Sequence, residues 1–333
     1  GVREVLATEM LEALGVSTSK SLSLYETGEA LARGDEPSPT RSSVLVRLGH
    51  SHVRFGTFQR LAALGDVAGL DRLLSYCITH YFPAIPAART GEERVARFLG
   101  EVTRATAKLT ARFMVAGFVH GVLNSDNMGI TGEAFDYGPY RFLPRYDLGF
   151  VAAYFDHQGL YAFGRQPRAI FRNLARLAEA LRPLAPGLAL GSVLADFEPT
   201  LDAEIARGVP ARLGLAPAGD VDQALVGAVY AFLDESGVGY DRFFFDWYGG
   251  LAREGRALGG EAGAHYAGAR WDDLRRILAL YRPAASTTPA YYERDRPCTL
   301  LIDEIEAIWS AIAERDDWAP FEEKIEEIRS IPQ

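Results

Sequence analysis

Apolar positions near the start of the chain recur at helical spacing. Val2, Leu6, Met10 and Leu14 fall on one side of residues 2–14, with Val5 an alternative to Val2, and Gly15 supplies a stop. Leu22–Tyr25 and Val44–Leu48 read as strands. Between them Gly28 to Ser43 is polar and contains Asp35-Glu36-Pro37-Ser38-Pro39, the composition of a mobile hairpin loop. From Phe55 onward the pattern is almost entirely helical. The clearest helix is Glu93–Val115, where Val95, Phe98, Leu99, Val102, Leu109 and Phe113 keep one face, and it runs directly towards His120. Further helices are predicted near 168–183, 188–205, 220–234, 268–282, 299–314 and 320–329, and Asp220 with Gln223 resembles a capping box opening one of them. There is no internal repeat and no low-complexity linker. A short mixed start before a long helical body predicts an α+β protein, mostly helical.

The chemistry-bearing stretch is His120 to Pro139, which sets Asp126, Asn127 and Asp136 in or beside turns. One carboxylate can act as base or orienter of an attacking group. An amide and a second carboxylate about ten residues on can hold a divalent cation against phosphate oxygens. Protein kinases solve the same problem with a catalytic-loop Asp, a following Asn and the Asp of a D-F-G turn. Here the Asp and Asn are adjacent and the later turn reads Asp136-Tyr137-Gly138. The arrangement, with the mixed start and helical body, predicts mainly the C-lobe of a protein-kinase-like fold with a remnant of the N-lobe. Residues 1–54 are that remnant, a helix and two strands, and 55–333 the helical C-lobe with the catalytic and metal-binding loops.

Composition narrows the classes. The 333 residues are 48% hydrophobic and 24% charged, ordinary for a globular protein. The net charge of −9 argues against a general nucleic-acid surface. The basic residues are 32 Arg against only Lys20, Lys108 and Lys324, which reads mainly as the codon bias of a GC-rich genome and lowers the weight of any single arginine. Cys77 and Cys298 form neither a metal cluster nor a disulfide framework. No stretch approaches eighteen uninterrupted apolar residues, so no membrane span is expected. No signal peptide is visible and lysine is scarce, which favours a bacterial cytoplasm.

Eight segments in order resemble the selenoprotein O (YdiU-like) family of protein adenylyltransferases. They are Val2-Arg3-Glu4-Val5-Leu6-Ala7, Leu14-Gly15-Val16-Ser17-Thr18, Arg54-Phe55-Gly56-Thr57-Phe58, His120 to Met128, Phe135 to Pro139, Phe155-Asp156-His157-Gln158-Gly159, Tyr161 to Pro167 and Asn173 to Leu177. Beyond about residue 185 the likeness is looser, mainly helix pattern and Asp241-Arg-Phe-Phe-Phe245. The resemblance implies a kinase-like fold and AMPylation: AMP passes from ATP to Ser, Thr or Tyr hydroxyls of protein substrates, and pyrophosphate leaves. It implies ATP bound in a flipped orientation and Mg²⁺ or Mn²⁺ as cofactor. Asp126 matches the base, Asn127 and Asp136 the metal ligands, Arg47 and Arg54 two arginines that grip the nucleotide phosphates. Glu4 matches the glutamate that pairs with the nucleotide-binding lysine.

Each assignment has a plainer competitor. An Asp-Asn pair in a loop is commonly only a turn former, and the Asp136 turn with the family match tips Asp126 and Asn127 the other way. Arg47 could be a surface-paired strand residue, and Glu4 a glutamate favoured at a helix start by the dipole. His120 is expected to bond backbone near the loop. His50 and His52 read as packing or surface residues more than phosphate contacts, and His157 has no assigned chemistry. Trp309 and Trp318 read as core.

Two departures from the family stand out. The segment before Glu4, which there carries a glycine-containing loop and the nucleotide-binding lysine, has no counterpart, and none of the three lysines sits in its place. Such a chain is expected to bind ATP poorly, whether it is a fragment, a copy whose missing lobe is supplied separately, or a degenerate one. The end, Ile331-Pro332-Gln333, lacks the cysteine- or selenocysteine-containing tail of many members, which puts redox control in doubt. A kinase-like phosphotransferase moving the γ-phosphate and a non-catalytic pseudoenzyme or scaffold remain as alternatives. Substrate identity, Mg²⁺ against Mn²⁺, ATP against UTP and oligomeric state are not set by the sequence.

Overall fold

The computed structural model describes residues 1–32, 38–86 and 90–332. The chain opens with helix α1 (Val2–Ala13), which buries Leu6, Met10 and Leu11 and stops before Gly15, whose φ of 76° only glycine adopts cheaply. An antiparallel ribbon follows, β1 (Lys20–Leu31) with β2 (Thr40–Leu48), in the register Lys20↔Leu48, Leu24↔Leu45 and Tyr25↔Val44. Both strands are longer than the apolar alternation predicts, because backbone pairing continues through the polar residues Glu26 and Arg41. The expected hairpin loop has its tip, 33–37, outside the described residues.

The body then becomes helical: α2 (Phe55–Ala63), α3 (Val67–Tyr81) and α4 (Gly91–Ala116). The six apolar residues that predict α4 are all buried. Thr90 caps it by accepting from the Glu93 N–H at 3.1 Å, and Gly117 ends it in the left-handed region. A side chain at Gly117 would also meet the Tyr240 ring, whose hydroxyl donates to the Met114 carbonyl at 3.0 Å. After α4 come two short strands that pair, β3 (Phe118–Val119) and β4 (Arg141–Phe142), and between them the loop that carries Asp126 and Asp136.

The rest is α5 (Gln166–Leu181), α6 (Leu190–Leu194), α7 (Phe197–Arg212), α8 (Val221–Ser236), α9 (Tyr240–Asp246), α10 (Glu254–Gly259), α11 (Ala269–Leu278), α12 (Ile302–Arg315) and α13 (Ala319–Arg329). The helix predicted over 188–205 is two, broken at Ala195–Asp196, where the Asp196 carboxylate meets Arg104 of α4 at 3.1 Å. Helix α9 escapes the periodicity because Phe243, Phe244 and Phe245 run consecutively and all three are buried. The expected capping box at Asp220 does not form. Asp220 makes no side-chain cap, and the neighbouring Asp222 accepts instead from the Ala218 N–H and the Tyr281 hydroxyl.

Two apolar clusters hold these elements. One joins α1 through α5 to α12 and α13 and takes in Trp309 and Trp318, the other is built by α7 to α11 around Trp247. Helix α7 lies along α4, α2 packs on α5 and α13 on α1. The architecture is mostly helical α+β with two small sheets. No described helix is long and apolar enough to cross a membrane. Cys77 and Cys298 are buried free thiols, and burial raises both, Cys77 to about 12.

Candidate active site

The site is built where α1, the β1–β2 ribbon and the start of α2 meet the loop after α4. Arg47, near the end of β2, points inward and forms an ion pair with Glu4 of α1 at 2.7 Å, both side chains largely buried. The same nitrogen, Nη1, also donates to the Phe135 carbonyl, which leaves Nε and Nη2 of this five-donor group without a protein partner. Burial raises the Glu4 carboxyl, Arg47 opposes that shift, and the charge of Asp136 adds to it. Glu4, Arg47 and Asp136 therefore share one electrostatic neighbourhood.

Arg54 arrives from the other side. Its guanidinium lies over the Phe135 ring, 4.6 Å from the centroid, and it forms no ion pair among the described residues. Its backbone bridges to Gly129, and the Phe55 N–H donates to the Met128 carbonyl at 3.0 Å, immediately after Asn127. Both arginines thus converge on the residue preceding Asp136, one at its carbonyl and the other at its ring. Asp126 sits in a tight turn, Ser125–Asn127, with its carboxylate against Gly56 in the first turn of α2. Ser125 is fixed there by a short hydrogen bond to Gln59 of α2. Asn127 and Asp136 are partly exposed and Asp126 is exposed, so all three remain open to a ligand.

The loop is held from beneath by buried polar groups. Gln166 is wholly buried and works in both directions, accepting from the His120 N–H at 3.0 Å and donating to the Phe118 carbonyl at 2.8 Å. Asn173 of α5 donates to the Leu123 carbonyl at 2.7 Å, and Tyr161 donates to the Asn124 side chain at 2.8 Å. His120 is buried beside Asp136, and desolvation lowers its imidazole to about 4, although the Asp136 charge and backbone oppose the shift. It is a neutral backbone-bonding residue, as the sequence suggests, taking a hydrogen bond from the Val122 N–H at 3.4 Å. Tyr137 is wholly buried and its hydroxyl gathers Thr8 of α1, Thr18 and Ser19. Arg3 and Tyr140 exchange backbone-directed bonds at 2.8 and 2.9 Å. These contacts tie α1, and with it Glu4, to the Asp136 turn.

Several of these residues lie in the segments quoted for their order, but Gly56, Tyr161, Gln166 and Asn173 carry no functional signal of their own type. Glu133 was legible only afterwards. Its buried carboxylate accepts from the backbone and Nδ1 of His50 at 2.9 and 2.8 Å, so His50 is a loop-fixing residue. His52 is exposed and His157 lies exposed in its turn.

A cation is chemically compatible with this donor set. Among the described residues no group of three or more His, Cys, Asp or Glu converges. Asn127 and Asp136 offer one amide and one carboxylate oxygen, hard donors of the kind Mg²⁺ and Mn²⁺ prefer. Magnesium sites in phosphoryl chemistry take one or two protein ligands and complete their shell with phosphate oxygens and water.

Comparison with known proteins agrees with that chemistry. The family model described as "Protein adenylyltransferase SelO" matches residues 1–329. The chain is 44% identical over 338 residues to the protein nucleotidyltransferase YdiU of Gloeobacter violaceus, covering 99% of this chain and 69% of that one. It is 41% identical over 345 residues to the protein of the same name from Synechocystis sp., covering 99% and 72%. A relative of that name from Rhodococcus jostii is 40% identical over 275 residues, 79% of this chain and 50% of its own length. With Asp126, Asn127 and Asp136 set on one loop and matched along nearly its whole length, this chain belongs to the SelO/YdiU family of protein nucleotidyltransferases.

Proposed function

We propose that this enzyme transfers AMP from ATP to serine, threonine or tyrosine hydroxyls of protein substrates, on a protein-kinase-like fold in a bacterial cytoplasm. In this reading residues 1–54 belong to the upper lobe of that fold and 55–333 form its helical lower lobe. The observation that carries it is the convergence of Arg47 and Arg54 on Phe135, beside Asp136, while Arg54 is also bridged to the residues just after Asn127.

Displacement at phosphorus needs little covalent help from a protein and depends on position and charge. Planar guanidinium groups bind phosphate oxygens in pairs, and Arg47 retains two nitrogens for that purpose after meeting Glu4 and Phe135. Glu4 holds Arg47 in place and sets its direction. Mg²⁺ or Mn²⁺ held by Asn127 and Asp136 would offset charge on the triphosphate and on the departing pyrophosphate. Asp126 accepts the proton of the incoming hydroxyl, or orients it, as the hydroxyl oxygen bonds to the α-phosphorus and the bond from that phosphorus to the bridging oxygen breaks. The turn around Asp126, fixed by Gln59, Tyr161 and Asn173, supplies the positioning.

The competing outcome is γ-phosphoryl transfer, and the position of the label separates the two. Parallel incubations with α-labelled and γ-labelled ATP should place only the α label on protein and release pyrophosphate. Protein carrying only the γ label would replace this reading with a phosphotransferase.

A further inference from the structure

Helix α5 pins the loop of Asp126 through Asn173, and its outer face carries Arg168, Arg172 and Arg176 at intervals of four. All three are exposed, and none makes an ion pair or a side-chain hydrogen bond among the described residues. That is unusual for this chain, where arginines elsewhere are widely matched to carboxylates, as Arg182 is to Glu179 on the next turn of the same segment. Like charges four apart on a helix repel and weaken it, so three in series is a local cost with no internal compensation. Their positive charge reaches the loop. Arg172 and Arg176 act electrostatically on Tyr161, whose hydroxyl donates to Asn124, two residues before Asp126. The nearby carboxylate, Asp156, is already occupied by the backbone N–H groups of Leu160 and Tyr161, both at 2.8 Å.

From this juxtaposition we infer that the Arg168–Arg172–Arg176 face of α5 is a docking surface for an acidic segment of the protein substrate, close to the acceptor hydroxyl. The inference rests on the protein-directed transfer proposed above and names the kind of substrate it selects. The argument is charge complementarity: the molecule as a whole is acidic, with a net charge of −9, so an acidic partner is repelled except where cations stand unmatched. An uncompensated stripe anchored to the reacting loop both admits such a segment and orients it. Partners with basic or neutral surroundings gain nothing there.

The test uses the whole chain and two fluorescein-labelled peptides, one with a serine flanked on both sides by glutamates and one with glutamines in their place. Fluorescence anisotropy is read without nucleotide, so the result does not depend on catalysis. The acidic peptide should bind more tightly than the glutamine peptide, more weakly as salt rises, and about tenfold more weakly to Arg172→Glu/Arg176→Glu. Arg172→Lys/Arg176→Lys should retain most of the binding, and matched circular dichroism would establish that the exposed replacements leave the fold intact. Equal binding of the two peptides, no change on charge reversal, or binding of an unrelated single-stranded oligonucleotide as tightly as the acidic peptide would overturn the assignment. Label transfer from α-labelled ATP with equal KM for both peptides would also overturn it while leaving the transfer reading intact. Charge-dependent binding without any label transfer would support the surface and count against the chemistry instead.

Discussion

The carboxylate of Asp126 rests against the Cα of Gly56: a Cβ built on that glycine would stand 1.8 Å from Oδ1. The first turn of α2 therefore approaches the proposed base as closely as backbone allows, and only glycine permits it. Gly56→Ala should displace the carboxylate and lower transfer by up to about 100-fold, since small misplacements at a reacting centre carry that cost. Alanine is otherwise the better helix former, by about 0.5–1 kcal/mol. The thermal midpoint should thus hold or rise while activity falls, which separates a positional effect from unfolding.

Arg54 has a cation–aromatic contact with Phe135 and no ion pair among the described residues, so the fold depends on it little. Arg54→Ala should cost no more than about 1 kcal/mol of stability. If its guanidinium holds phosphate, the same change should abolish most of the rise in melting temperature produced by ATP with Mg²⁺, because a ligand bound only by the native state stabilises it. Differential scanning fluorimetry with and without nucleotide checks both halves. An undiminished nucleotide shift would remove Arg54 from the phosphate site.

Gln166 satisfies two buried backbone groups at once, the His120 N–H and the Phe118 carbonyl. Gln166→Leu keeps the volume and strands both. Each such orphan costs about 1–3 kcal/mol, so urea unfolding should show a loss of roughly 2–5 kcal/mol. A loss under 1 kcal/mol would mean that the loop does not hang from this side chain.

His120 makes stability depend on acid. Its imidazole is held near pKa 4 by burial against an ordinary value of 6.5. Between those values the unfolded chain takes up a proton that the folded protein refuses. Stability from this group is therefore present above about pH 6.5 and is lost as pH falls toward 4, by up to about 3 kcal/mol. His120→Asn should start less stable and show a shallower decline in unfolding free energy over that window. An equally steep decline would assign the acid sensitivity to other groups.

Periodicity made the helical body legible, because α4 and α5 bury one stripe each and their apolar spacing records it. The ribbon was harder. Alternation marks Val44, Val46 and Leu48 as the inward set, yet these three are exposed and the opposite face turns Leu45 and Arg47 inward. A strand's two faces differ by a single residue of register, and the ion pair with Glu4 fixes it here, a tertiary contact that no local pattern records. The same limit hid Gln166 and Glu133. Their importance lies in buried backbone partners far along the chain, and residue type alone gives no hint of those. Asp126, Asn127 and Asp136 were legible because the chemistry restricts both residue type and spacing, although their roles rest on the proposed reaction.

The central claim is tested most directly by incubating the protein with α-labelled ATP, Mg²⁺ or Mn²⁺ and a mixture of bacterial proteins, beside its Asp136→Ala variant. The account predicts label on protein, resistant to denaturing electrophoresis, and its loss in the variant with an unchanged melting temperature. Label persisting in Asp136→Ala, or none with the parent chain under conditions where ATP and metal raise its melting temperature, would contradict it.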